Sequence, residues 1–494
     1  MTTEPDQIRT YGGWRVARGM GLFGLGPVAS TIALAAVLAL VVAAAFDLAA
    51  ALILAVPVAL VLAAATVRVG GVPVLHALLA RVRWAAGSLR GHHTWHGGII
   101  VDHPRAWQLP GVLASTELVS AEDGNGDTYG LVWDRRTGTL TATLRCASTS
   151  TWLANTSDAD TWVANWGSWL ASLGHLPAIR WVAVTVDTAP DPGSTLADHV
   201  QSRLSPTSPA PARELMAELV RRSPAAAADV DTRVSITFDP AAAPGRPKSV
   251  AAAAAEFGRV LHGLSSALGS CGVTVLGRAS ATELAGIVRT AFDPDVRGEV
   301  DRLLATADTD QMLDWGNAGP VAVQESWDRY RHDSGVSVTF AMHEAPRQAV
   351  HSNVLARMVS PGLFSKRVTL IYRPFSAAAA ARTLENEVNA AAFRAEVARR
   401  QGRDATARDL ADQDRARRAA SEEAMGAGVC LVSMYATVTV EHDDDLPTAV
   451  ADIEARAETA KLRLRPMYRS QAAGFAATLP CGVCPPLLSR RFPH

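Results

Sequence analysis

The chain has almost no net charge of either sign. Its 47 Lys and Arg stand against 48 Asp and Glu in 494 residues, a formal net charge of −1. No global basic field points to nucleic acid, so no direct nucleic-acid binding is expected. Cysteine is scarce. Cys146, Cys271, Cys430, Cys481 and Cys484 form an odd, sparse set that excludes a disulfide framework and fits a reducing compartment. The local signatures of chemistry are also missing. AAAPGRPKS (residues 241–249) imitates a phosphate loop, but Pro247 stands where GxxxxGK[ST] needs glycine before Lys248. There is no GxSxG elbow and no GxGxxG opening a helix after a strand. His343-Glu344 begins like a zinc helix, but Pro346 and Arg347 end the match. These absences predict a non-catalytic protein with no catalytic residues, no cofactor-binding residues and no metal ligands.

Charge is most conspicuously absent between residues 19 and 67, where Asp47 is the only ionisable side chain. A helix crossing a membrane needs roughly 20 apolar residues to span a hydrocarbon core of about 30 Å. The stretch is long enough for a transmembrane helical hairpin: a first helix over 25–45, a turn at Phe46–Asp47, and a second helix over 48–67 kinked at Pro57. Arg9, Arg15 and Arg18 precede the pair, and Arg68, Arg81, Arg83 and Arg90 follow it; the turn has no Lys or Arg. The positive-inside rule then puts both termini in the cytoplasm of a multi-pass inner-membrane protein. Tyr11, Trp14, Arg15 and Arg18 before the hairpin, and Arg68, Arg81, Arg83, Trp84 and Arg90 after it, are the predicted membrane-interface residues, with anionic lipid headgroups as their partners.

The opening TYGGWR…GLFGLG, followed by two close apolar runs and about 400 further residues, resembles a family of actinobacterial two-span membrane proteins from gene clusters for conjugative, type IV-like secretion. The hairpin is similar to the small two-span subunit of such systems. Residues 468–485 (YRSQAAGFAATLPCGVCP) are similar to the end of the N-terminal domain of their transport ATPases, where a motor domain normally follows. The resemblance implies a structural subunit that scaffolds a separate transport ATPase, with secretion ATPase and channel subunits as partners and possible homo-oligomers. A component of another export apparatus, such as type VII secretion, is the alternative.

The rest of the chain reads as α+β, in ferredoxin-like or related α/β-sandwich units. The expected segments are an interfacial stretch (1–24), the hairpin (25–67), a basic linker (68–98), a first α+β domain (99–310) and a second (311–494) with a long helical insertion at 376–424. Residues 129–133 and 139–146 alternate as a hairpin. Trp162, Trp166, Trp169, Leu170 and Leu173 fall on one face of a helix over 157–173, which predicts core packing against a sheet. Strands follow at 179–187, 232–239 and 272–276, with helices at 195–204, 210–222, 249–268 and 281–306. Residues 314–331 read as an irregular connector. Then come a strand at 335–342, a helix at 346–359 begun by proline, a strand at 367–372, a strand at 429–440 and a last long helix at 446–464. The recurring strand–helix–strand order suggests duplication. Four features invite metal but read more simply otherwise: His92, His93 and His96 in a glycine-bounded stretch, the turn at 123–127, the acidic run 441–445 ahead of a helix, and Cys481-Gly-Val-Cys484 with no second CxxC.

Overall fold

The computed structural model describes residues 11–12, 14, 27–69, 72–98, 107–122, 126, 128–148, 154–190, 200–201, 203–205, 207–222, 228–305, 314–400, 407–424, 426 and 428–488. The chain divides into two compact units. One holds residues 1–14, 94–386 and 414–494; the other holds 15–93 and 387–413.

The second unit begins with α1 (Pro27–Phe46) and α2 (Leu48–Thr66), separated by Asp47, whose carboxylate accepts a hydrogen bond from the Ala49 N–H at 3.0 Å and caps α2. A short ladder of β1 (Arg68–Val69) and β2 (Val72–Pro73) leads into α3 (Val74–Leu89). The expected transmembrane hairpin, and the multi-pass inner-membrane location that depended on it, are overturned here. Among the described residues no helix is long and apolar enough to cross a membrane.

The larger unit is built on one antiparallel sheet of 13 strands rather than on separate sandwich units. In chain order its elements are β3 (Thr94–His96), β4 (Thr116–Glu122), β5 (Thr128–Asp134), β6 (Thr139–Ser148), α4 (Thr156–Ser172), β7 (Ile179–Pro190), α5 (Ala210–Arg222), β8 (Ala228–Phe238), α6 (Val250–Ala267), β9 (Val273–Arg278), α7 (Ala281–Phe292) and α8 (Arg297–Ala305). They continue with β10 (Ala322–Glu325), β11 (Tyr330–His332), β12 (Gly335–Glu344), α9 (Ala356–Val359), β13 (Ser365–Pro374), α10 (Ala377–Arg400), α11 (Ala407–Ala424), β14 (Cys430–Val440), α12 (Leu446–Thr459), β15 (Arg463–Pro466), α13 (Gln471–Ala477) and α14 (Pro485–Leu488). The strands run β3-β10-β11-β12-β14-β13-β7-β8-β6-β5-β4, with β15 beside β12 and β9 beside β6.

Two stretches of the chain trace the same path through this sheet. From β6 to β9 the spatial order is β9-β6-β8-β7, and from β12 to β15 it is β15-β12-β14-β13. Each is a β-α-β-β-α-β path whose fourth strand lies beside its first. Each also carries helical sequence between its second and third strands: α5 between β7 and β8, and α10 with α11 between β13 and β14. The second strands, β7 and β13, pair with each other over seven residues and fuse the two paths into one sheet.

Alternation along the strands gives the sheet two chemically different faces. On one face Leu140, Leu144, Val234, Ile236 and Phe238 pack with Trp169 and Leu173 of the α4 region and Phe257, Leu261 and Leu264 of α6. Further along, Val336, Val338, Phe340, Met434 and Val438 pack with Leu446, Ala449 and Ile453 of α12. The tryptophan stripe of α4 serves this core. Trp169 is buried and donates its indole N–H to the Leu264 carbonyl at 3.2 Å, and Trp166 stacks on it at 5.0 Å.

One helix expectation changes. The helix expected over 346–359 is reduced to α9, because Val350 exchanges backbone hydrogen bonds with Tyr11 at 2.7 and 2.8 Å and so holds that segment extended. The helices expected over 281–306 are α7, closed at its start by a Ser280–Glu283 capping box, and α8, with Pro294 between them. Residues 314–331, read as a connector, lie within the larger unit: Trp315 donates its indole N–H to the Thr116 carbonyl at 3.1 Å, and Val323 and Tyr330 belong to a buried cluster with Leu109, Leu284 and Phe475.

Candidate functional site

The second face of the sheet is lined with hydroxyls. Thr141 bonds Thr237 at 3.0 Å, Thr143 bonds Ser235 at 2.9 Å, and Thr185 bonds Thr369 at 2.9 Å. Ser337 bonds Thr439 at 2.8 Å, and Thr339 bonds Thr437 at 2.9 Å. All ten are buried. A buried hydroxyl must find a partner or pay a desolvation cost of roughly 1–3 kcal/mol, and here each finds one on the neighbouring strand. The C-terminal stretch completes this face. Gln471 takes the Thr339 N–H on its Oε1 at 2.7 Å, Thr478 bonds Thr437 at 3.1 Å, and Gly474 and Gly482 come against Thr339 and Thr141 so closely that a Cβ would collide.

A row of ions crosses the middle of the face. Arg233 donates to Asp187 at 2.7 Å and to Asp231 at 2.8 Å. Burial alone would push the Asp187 carboxyl up, but the Arg233 guanidinium overrides it and holds the group below the ordinary range. Next in the row, Arg367 on β13 lies opposite Asp187 on one side and Thr437 on the other. Its Nε donates to Thr478 Oγ1 at 3.3 Å, and its guanidinium lies 4.8 Å from the centre of the Phe475 ring.

His332 and Ser337 form the arrangement nearest to a catalytic pair. His332 Nδ1 lies 2.6 Å from the Phe292 carbonyl, which only accepts, so Nδ1 carries the proton and Nε2 accepts from the Ser337 hydroxyl at 2.8 Å. Both residues are fully buried. Burial drives the imidazole down to about 3, only partly opposed by the Phe292 carbonyl. With no exposed surface at either group, the pair serves as a polar tie between the β11–β12 hairpin and the end of α7.

Four of the five cysteines are buried and Cys430 is partly so. All five are free thiols. Burial pushes Cys430 up to about 11, and Cys146 to about 11 with Asp231 adding to the shift; the Cys481 thiol is driven up further still. Cys484 sits in a buried cluster with Trp181, Ile371 and Tyr435. Among the described residues no group of three or more His, Cys, Asp or Glu is placed to hold a metal ion. His92 and His93 lie in the turn after α3 and His96 is on β3; the acidic run forms a short turn ahead of α12, where Asp443 pairs with Arg331. The turn at 123–127 lies outside the described residues except for Gly126.

The residues predicted to face a membrane interface are scattered. Tyr11 belongs to the larger unit, where its hydroxyl donates to Asp160 at 2.7 Å and its backbone pairs with Val350. Trp14 is 41% exposed. Arg15 and Arg18 lie outside the described residues, as does the side chain of Arg68 on β1. Arg81 and Arg83 are exposed on α3, Trp84 is half-buried there, and Arg90 caps the helix.

The outstanding surface feature is apolar. Along α1 and α2 large aliphatic and aromatic side chains stand bare, with Phe46 88%, Ile53 77%, Leu52 67% and Leu38 62% exposed. Leu78, Leu79 and Val82 on α3 and Phe393 on α10, in the same unit, are also exposed. Chains that work alone rarely leave apolar patches larger than a few hundred Å².

Fold and surface together define an α+β protein organised on a 13-stranded antiparallel sheet, with an apolar helical unit of separate composition. No family model and no curated protein matches the chain.

Proposed function

We propose that this chain is a non-catalytic structural subunit of a conjugative, type IV-like secretion machine, where it presents docking surfaces to a separate transport ATPase and to channel subunits. The single observation that carries the reading is the bare apolar surface of α1, α2 and α3, which calls for protein partners to cover it. The resemblance of the opening motif and of residues 468–485 supplies the kind of machine. The larger unit supports a mechanical role: its charged and hydroxyl groups are bonded to one another across the sheet, as in a rigid support. The helices α10 and α11, which fall in sequence between β13 and β14, are of mixed charge, suited to a partner contact.

The test is affinity purification of the tagged full chain from its native cells in gentle detergent, with the co-purifying proteins read by mass spectrometry. A secretion ATPase and channel subunits are the expected companions. Substituting Leu38, Phe46, Leu52 and Ile53 together by serine reduces their recovery severalfold. Recovery of the unmodified chain without any secretion component overturns the proposal.

A further inference from the structure

We propose that Arg367 seats a small monovalent anion, a halide or a simple carboxylate, within the hydroxyl-lined face of the sheet. The argument starts from charge. Three ionised side chains are almost wholly removed from water at the middle of this face: Arg233 is 3% exposed, Arg367 4% and Asp187 9%. Two guanidiniums therefore share one buried carboxylate. The other acids of the row do not redress this, since the side chains of Asp229 and Asp231 are 51% and 41% exposed and are screened by solvent. Asp229 is moreover bound by Arg297 at 3.3 Å, and Asp231 by Arg233.

Hydrogen bonding singles out which guanidinium carries the surplus. Arg233 places Nη1 on Asp231 and Nη2 on Asp187. Arg367 has its Nε on Thr478, but its Nη2 is buried and has no partner among the described residues. Thr478 Oγ1 has no lone pair left for it, since it gives its own proton to the Phe475 carbonyl at 2.8 Å and takes Arg367 Nε and the Thr437 hydroxyl. An unsatisfied N–H on a buried cation is the most expensive kind of orphan. An acceptor carrying one negative charge settles both deficits together: it completes the Nη2 hydrogen bonds and neutralises the excess charge. Water would satisfy only the first. Guanidinium N–H donors suit carboxylate oxygens and can also be met by a single halide, and the Phe475 ring lies against the guanidinium.

The experiment uses the full chain. Thermal denaturation is followed at fixed ionic strength and pH while the bulkier anion gluconate is replaced stepwise by chloride or by formate. The midpoint rises by about 2–5 °C and saturates, as linkage to a single site requires. Arg367→Gln loses the dependence, and Arg367→Lys, which keeps the charge, retains part of it. If Arg367→Gln does not fold, a bromide-soaked crystal of the unmodified chain gives the second reading, an anomalous peak within hydrogen-bond reach of Nη2. A midpoint that follows ionic strength regardless of the anion, or a bromide-soaked crystal with only water at that position, overturns the proposal.

Discussion

Gly482 shows how tightly single residues are specified in this fold. It stands at φ +65°, and a Cβ there would lie 2.1 Å from Thr141 Oγ1 and 3.2 Å from Thr237 Oγ1. Gly482→Ala therefore meets two penalties, a left-handed backbone and a collision with a bonded hydroxyl pair. The expected loss is about 2–4 kcal/mol, read from urea midpoints. His332 gives a second residue-scale prediction. Its folded value, down to about 3, lies below the unfolded 6.5, so the folded chain refuses a proton that the unfolded chain accepts. The contribution is intact above about pH 6.5 and is lost as pH falls from there toward 3. Between pH 6.5 and 5 this amounts to about 2 kcal/mol. Denaturant midpoints at pH 7 and pH 5 measure it, and His332→Gln shrinks the difference by that amount.

At the scale of elements, the Asp187–Arg233 pair bonds β7 to β8 in the interior. Asp187→Asn or Arg233→Met alone costs about 3–5 kcal/mol, because each leaves the partner charged and buried. The double variant is expected to recover a large part of that loss, which a double-mutant cycle measures by denaturation. This ion row was not legible in the sequence, since Asp187, Arg233 and Arg367 are far apart in the chain and meet only through strand register. Local pattern did reveal the elements that hold them. The helix expected at 157–173 is α4, the strand at 179–187 lies within β7, and the strand at 429–440 is β14, because apolar spacing at 3.6 or 2 residues records the buried face directly. The alternating threonines of β6, β12 and β14 carried half of the remaining message: they mark a polar face, but not that the C-terminal stretch covers it. Helix 346–359 failed for the complementary reason, since the Tyr11–Val350 bridge that displaces it lies over 300 residues away in the chain.

For the whole molecule, the apolar helices were visible from composition, but what they are for was not. The same alanines and leucines that read as a membrane pair form α1 and α2, in which no described helix is long and apolar enough to span. Bare aliphatic surface of this extent is expected to make the isolated chain self-associate. Light scattering of the purified protein is expected to report species larger than one chain, and replacing Leu38, Phe46, Leu52 and Ile53 by serine is expected to shift the distribution downward.

The seam between β7 and β13 has a consequence for synthesis. β7 ends at Pro190, and the strand that covers its open side begins only at Ser365. A ribosome adding ~5–20 residues per second needs about 10–35 s to cross that interval. Throughout it the first half of the nascent chain carries a naked rim of backbone donors and acceptors, and a holding chaperone that shields it would raise the yield of correctly joined molecules.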